Sequence, residues 1–68
     1  MKCTINGKEF ELNNSLTLLA LIESRDIKPE RVVVELNGNV LTQADFTQKL
    51  KDGDSLEILS FVGGGINE

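Results

Sequence analysis

Apolar and polar residues alternate at the start of the chain, in two short runs separated by a turn. Cys3 and Ile5 alternate with polar neighbours, and Phe10 and Leu12 do so again after Asn6-Gly7. Asparagine followed by glycine readily adopts the positive φ angles of a tight hairpin turn. The pattern therefore predicts that the chain opens with a β-hairpin.

A leucine-rich segment with helical spacing comes next. Ser15 is suited to cap the start of a helix. The helix is predicted to end near Arg25, because Pro29 disfavours helical geometry in the residue before it. The predicted core-facing stripe contains Leu16, Leu19, Ala20 and Ile22 or Glu23. Leu18 and Leu21 lie outside this stripe. We therefore expect deep burial of the helix in a small domain, with partner binding by the extra leucines as the alternative.

The middle of the chain predicts two more strands and a short helical turn. Residues 31–36 form a strand in which Val32, Val34 and Leu36 alternate with Val33 and Glu35. Asn37-Gly38 predicts a second tight turn, followed by a short edge strand at 39–41. Thr42 can then cap a brief helical turn that runs to Leu50, with Phe46 and Leu50 pointing inward.

The last predicted strand, residues 55–62, has large apolar side chains on both faces, as in a central strand. Leu56 and Ile58 share one face, and Leu59 and Phe61 share the other. The resulting element order is typical of an α+β, β-grasp (ubiquitin-like) fold, in which a mixed sheet of about five strands packs on one main helix plus a short helical turn. We assign residues 1–62 to this domain and 63–68 to a flexible glycine-rich C-terminal tail.

Composition narrows the available chemistry. The 68-residue chain has no histidine and a single cysteine, so we expect no catalytic residues, no metal site and no internal disulfide. Cys3 lies on the core side of its strand and is predicted to be a small buried hydrophobe, not a sulfur-relay thiol. Asp52 and Asp54 are predicted to form a solvated turn around Gly53, not a catalytic or metal-binding pair.

Charge and hydropathy limit the partners. The net charge is −4, and no basic stripe is present to follow nucleic-acid phosphates. An acidic surface favours protein partners with basic patches, but ordinary solubility would select the same excess of acidic residues and is the slightly favoured explanation. The first residues are too polar for a secretory signal, and the apolar segment 16–22 is too short to span a membrane. We expect a cytoplasmic protein that binds neither nucleic acid nor membrane.

The glycine run Gly63-Gly64-Gly65 is unusual at the end of a strand because it has no side chains to pack. A thin glycine segment is suited to enter a narrow enzyme channel while the folded body stays outside. The alternative is an ordinary frayed chain end or a cloning remnant, and composition leaves both explanations open.

Particular residues point to a family. The run from Asp52 to Gly65, with its Asp-Gly-Asp turn, apolar strand and glycines, closely resembles the C-terminal signature of ThiS-type sulfur carriers. The Val-Glu-Leu-Asn-Gly segment at 34–38 and Phe46 before Leu50 extend the resemblance over the domain. The hairpin and helix match in pattern more than in residues.

The resemblance implies a carrier protein and not an enzyme. In the ThiS family a ThiF-like adenylating enzyme uses ATP to activate the terminal glycine carboxylate, and sulfur then replaces AMP to give a thiocarboxylate. A sulfur donor such as a cysteine desulfurase supplies the sulfur, and a ThiG-like thiazole synthase receives it. By position, Gly64 and Gly65 match the terminal glycines, with Gly65 as the thiocarboxylate site, and the chain itself binds no cofactor.

The sequence departs from the family pattern after Gly65. Ile66, Asn67 and Glu68 follow it, so in this form Gly65 has an amide bond where the chemistry needs a carboxylate. We expect a protease to remove residues 66–68, since an exposed glycine-rich tail enters a protease cleft easily. The alternatives are a carrier that has lost activation and an altered chain end.

The strands also suggest a surface for a partner protein on the sheet face away from the helix. The predicted surface consists of Phe61, Leu59, Val33, Val62 and Gly63. The alternative is that the short helix or a loop covers these side chains. Other functions with the same pattern are a MoaD-like carrier for molybdopterin or another sulfur-containing product, a protein-tagging modifier, and a β-grasp interaction module with incidental glycines.

Overall fold

A computed structural model describes residues 1–61 of the chain. The strands are β1 (Lys2–Ile5), β2 (Lys8–Glu11), β3 (Val32–Leu36), β4 (Asn39–Val40) and β5 (Ser55–Ser60); the helix α1 is Leu18–Ser24, and 3₁₀ turns lie at Pro29–Arg31 and Gln43–Thr47. The sheet order is β2-β1-β5-β3-β4, with β1 and β5 parallel and the other pairs antiparallel. The predicted β-grasp fold, with β5 central and β4 at an edge, is confirmed.

The predictions for residues 62–68 lie outside the described residues. They include the tail, the glycine run and Val62. The boundary between the domain and the tail therefore stays a prediction.

Both asparagine-glycine turns form as predicted, and their asparagines have a second role. Asn6 and Asn37 each have φ of 51°, in the left-handed region. The Asn6 side chain accepts a hydrogen bond from the Ile58 amide at 2.7 Å and donates one to the Ile58 carbonyl at 3.2 Å. Asn37 Oδ1 accepts from the Ser55 amide at 2.9 Å. The two turns thus hold β5 on both of its sides.

The predicted start of the helix is wrong, because the cap is Thr17 and not Ser15. Thr17 Oγ1 accepts a hydrogen bond from the Ala20 amide at 3.1 Å. The segment just before the helix is extended and pairs with residues 48–50, as shown by the Leu50 amide donating to the Leu16 carbonyl at 2.9 Å. Because this pairing occupies residues 16 and 17, the helix begins only at residue 18.

The later start shifts the buried stripe of the helix. Leu18, Leu21 and Ile22 are buried, at the i, i+3 and i+4 positions of one face. Leu16 and Leu19, predicted to face the core, pack against it but are only partly buried, so Ile22 is the one predicted stripe residue that is fully buried. The expected deep burial of the additional leucines is confirmed.

The core lies between α1 and one face of the sheet. Its buried members are Cys3, Ile5, Leu18, Leu21, Ile22, Val32, Val34, Phe46, Leu50 and Leu56. The predicted inward positions of Phe46 and Leu50 are confirmed, although the 3₁₀ turn ends at Thr47. Thr42 begins this turn, and its amide and hydroxyl both donate to Asp45 Oδ2, at 3.0 and 3.1 Å.

The two aspartates around Gly53 differ, and the predicted solvated turn is wrong for one of them. Asp54 is buried, and its carboxylate accepts from the Lys51 amide at 2.8 Å and from Asn37 Nδ2 at 3.0 Å. Asp52 is exposed and accepts from the Lys2 amide at 2.7 Å. Each carboxylate therefore accepts a hydrogen bond from a backbone amide. Within residues 1–61 there is no cluster of three potential metal ligands.

Candidate functional site

The side of the sheet away from α1 carries apolar and acidic side chains in register. Cross-strand neighbours are Val33 with Leu59, Glu35 with Glu57, and Glu35 with Val40. We call these five residues the outer face. The apolar members are exposed, with Val33 at 40%, Leu59 at 62% and Val40 at 67% of their full accessible area. Across the described range of 1–61, neither the short helical turn nor a loop covers Val33 and Leu59.

The outer face contains a shallow depression with a volume of about 480 Å³. Its walls are Asn6, Val33, Glu35, Val40, Glu57, Ile58 and Leu59. Sequence reasoning identified Val33 and Leu59 but missed the acidic pair and Val40. Those residues alternate correctly with the buried positions, but only the register of β3 against β5 and β4 brings them together.

Phe61 lies beside a different hollow. It is 53% exposed, and its amide donates to the Arg31 carbonyl at 2.8 Å. Together with Ile27, Lys28 and Arg31 it lines a depression of about 200 Å³. Strand β5 ends at Ser60, and Phe61 lies beside the 3₁₀ turn Pro29–Arg31. Phe61 is not among the residues that line the outer-face depression. The predicted contact residues Leu59 and Phe61 thus line separate depressions.

The one thiol of the chain is not placed for chemistry. Cys3 is 1% exposed, and Sγ donates a weak hydrogen bond to the Lys51 carbonyl at 3.4 Å. Burial raises the pKa of the Cys3 thiol above its ordinary value, and the nearby Asp54 carboxylate adds to this. A neutral, enclosed thiol is a poor nucleophile. The prediction that Cys3 is a buried hydrophobe is confirmed.

The predicted chemical site itself, Gly64 and Gly65, lies outside the described residues, as do Gly63 and Val62. Central strand β5 leads toward them, with Phe61 as the last described residue. No helix within residues 1–61 has the length and apolar character to cross a bilayer.

Known proteins resemble the chain over nearly its whole length. The model of the ThiS family matches residues 2–65. The crystal structure of a thiamine biosynthesis protein (ThiS) from Geobacter metallireducens is 40% identical, with a TM-score of 0.76 over 96% of this chain and 100% of that one. An uncharacterized protein, ycf40, of Pyropia yezoensis is 40% identical over 62 residues, which are 90% of this chain and 87% of that protein.

A larger protein also contains a similar segment. A thiazole synthase of Paramagnetospirillum magneticum is 36% identical over 69 residues, which cover 100% of this chain and 21% of that protein. The chain thus spans about a fifth of that thiazole synthase. The family match, the shared fold and the 40% identity to a solved ThiS structure agree, and this chain belongs to the ThiS family.

Proposed function

We propose that this protein is a sulfur carrier whose Gly65, once it has a free carboxylate, is adenylated and converted to a thiocarboxylate that donates sulfur for thiamine thiazole synthesis. The main support is the family match, which runs from residue 2 and ends at Gly65. The solved relative from Geobacter metallireducens is a thiamine biosynthesis protein, and it covers 96% of this chain.

The proposed chemistry takes place on the main chain. The Gly65 carboxylate attacks the α-phosphate of ATP on a ThiF-like enzyme, which gives an acyl-adenylate and pyrophosphate. A hydrosulfide equivalent then displaces AMP to form the thiocarboxylate; if a persulfide from a cysteine desulfurase is the donor, a thiol must also reduce the acyl disulfide. The chain has no histidine and its one cysteine is buried, which is consistent with a substrate role and not a catalytic one.

Activation in this scheme requires cleavage after Gly65. Ile66 follows Gly65 in the sequence and lies beyond the end of the family match. An amide carbonyl at Gly65 has no free oxygen anion to attack ATP, so the chain with residues 66–68 attached is a precursor. Intact-mass measurement of the protein from its native cells is expected to show a chain that ends at Gly65. Recovery of only the uncleaved chain would contradict the cleavage step.

The carrier function is tested by comparing two forms of the protein. A form that ends at Gly65 and the 68-residue form are each mixed with the adenylating enzyme of the same organism, magnesium and ATP. We expect an AMP adduct, detected by mass, only on the shorter form. A shorter form with Gly65→Val is the control, because a branched side chain should not enter a channel built for glycine. No adduct on any form would overturn the carrier function.

Thiazole synthase is the proposed acceptor of the sulfur. In Paramagnetospirillum magneticum, a protein named thiazole synthase includes a segment similar to this entire chain. A carrier and an acceptor joined in one polypeptide would act on each other, which supports the same pairing between separate chains. The proposal includes a cytoplasmic location, where ATP is available and thiols stay reduced.

The exposed outer face favours one alternative, a β-grasp module that only binds a partner protein. The comparison of the two forms separates these functions. A pure interaction module would bind its partner equally well with and without residues 66–68, and it would accept no AMP.

A further inference from the structure

Two glutamates that line the outer-face depression lie opposite each other on neighbouring strands. Glu35 and Glu57 are direct cross-strand partners in the β3–β5 pair, and both line the depression. Residues directly opposite in an antiparallel pair have Cβ atoms about 4.5–5.5 Å apart, and like charges at such positions are destabilising. None of the seven residues that line the depression is basic. Two acidic residues therefore lie opposite each other, with no basic residue among those that line the depression.

Aliphatic side chains surround the acidic pair. Val33 and Leu59, the next outward pair along the same strands, lie on one side, and Val40 is the neighbour of Glu35 on the edge strand. A surface that is apolar beside two carboxylates matches a long basic side chain, which has an apolar stem and a charged tip. Arginine fits better than lysine, because its planar guanidinium has donors for two carboxylates at once.

We propose that the outer face binds its partner protein through an arginine side chain. The arginine stem packs on Val33 and Leu59, and its guanidinium lies between Glu35 and Glu57. This inference rests on the proposed function, in which the first partner is the adenylating enzyme. The net charge of −4 adds long-range attraction to a basic partner surface.

A guanidinium between the two carboxylates relieves their repulsion only in the complex. Removing one charge should therefore have opposite effects on the free protein and on binding. With Glu57→Gln the free domain keeps or gains stability, because the repulsion is gone. Binding weakens, because one charge-assisted hydrogen bond is lost. A glutamate with a purely structural role would instead lower stability and leave binding unchanged.

The test uses the form that ends at Gly65, with Glu57→Gln and Glu35→Gln as variants. Glu23→Gln is the matched control, since Glu23 is exposed on α1, on the opposite side of the sheet, and its change alters the net charge equally. Adenylation kinetics with the cognate enzyme give KM and kcat, and urea denaturation gives stability. We expect KM to rise about three- to tenfold for the two outer-face variants, with kcat unchanged. The rise should shrink at high salt.

The results separate failure of this inference from failure of the carrier function. An unchanged KM, a rise equal to that of Glu23→Gln, or a lower urea midpoint for both outer-face variants would overturn the arginine contact while adenylation itself stands. If the unaltered form ending at Gly65 accepts no AMP, the carrier function is overturned, and the enzyme is no longer the partner of this surface.

Discussion

The two sides of the β3–β5 strand pair have similar aliphatic side chains in opposite environments. On the inner side Val34 and Leu56 are fully buried, each at 0% exposure. On the outer side Val33 and Leu59 are 40% and 62% exposed. Val33 and Val34 are adjacent in β3, and Leu56 and Leu59 are three residues apart in β5, so within each strand the two side chains point to opposite faces. Position, and not residue type, decides which side chains hold the fold together.

Exposed apolar side chains on the outer side add little to the stability of the fold, and a protein this small has few others. A short chain buries a smaller fraction of its surface than a long one and depends on every buried apolar side chain. Residues 1–61 include ten buried apolar residues, so the three large apolar side chains left exposed on the outer face, those of Val33, Val40 and Leu59, are a substantial share. This imbalance is consistent with a second task for the outer face, and it can be examined by changing the two sides separately.

The largest expected effect is on the inner side. Leu56→Ala should lower the free energy of unfolding by about 3–5 kcal/mol, because it leaves a cavity at a fully buried position. A loss of this size approaches the whole stability expected for a domain of this length. The matched outer variant, Leu59→Ala, should lose less than about 1 kcal/mol. Urea denaturation followed by circular dichroism measures both, and equal losses would show that the two sides are not distinct.

The next prediction concerns Asp54, the buried carboxylate directly before β5. Asp54→Ala should lower stability by about 1–3 kcal/mol, because the Lys51 amide and Asn37 Nδ2 lose their acceptor. Asp52→Ala, at the exposed partner of the same turn, should lose less than about 1 kcal/mol. The same urea measurement applies. A larger loss at residue 52 than at residue 54 would contradict the structural role given to the buried carboxylate.

Local patterns sufficed to predict much of the fold. The Asn6-Gly7 hairpin and the alternation of Val32 to Leu36 depend on neighbours in sequence, and both are confirmed. The helix cap was mispredicted because residues 16 and 17 pair with residues 48–50, far along the chain. Asp54 was mispredicted for the same reason, since its partner Asn37 lies 17 residues away.

The candidate site was predictable only in part. Alternation predicted that Val33 and Leu59 lie on the sheet face away from the helix, but it left open whether the short helix or a loop covers them. The acidic pair between β3 and β5 depends on a strand register that the sequence does not reveal. The proposed role of Gly65 comes from resemblance to a family, because a glycine has no side chain whose chemistry could be inferred.

A smaller effect on the inner side depends on pH. Burial raises the pKa of Cys3 above its ordinary value of 9.0, so the folded protein keeps the thiol proton when the unfolded chain releases it. The unfolded state then binds fewer protons, and stability falls as pH rises above about 9. Cys3→Ala removes this dependence. Urea midpoints from pH 8 to 10 should fall more steeply for the unaltered protein, and parallel curves would contradict the raised pKa.

The smallest expected effects on stability are at two exposed apolar side chains, Leu59 on the outer face and Phe61 directly after β5. Leu59→Ser and Phe61→Ser should each change the unfolding free energy by less than about 1 kcal/mol. Both substitutions should raise the KM for adenylation, since exposed apolar side chains contribute to binding when a partner covers them. The two residues line separate hollows, so the pair also locates the contact.

A higher KM for Leu59→Ser alone would confine the partner to the outer-face depression. A higher KM for both would extend the interface to the hollow that Phe61 lines with Lys28 and Arg31. An unchanged KM for both would remove the outer face from the carrier's interface. The exposed side of β3 and β5 would then need another partner, because a small domain gains nothing for its own stability by leaving Leu59 in water.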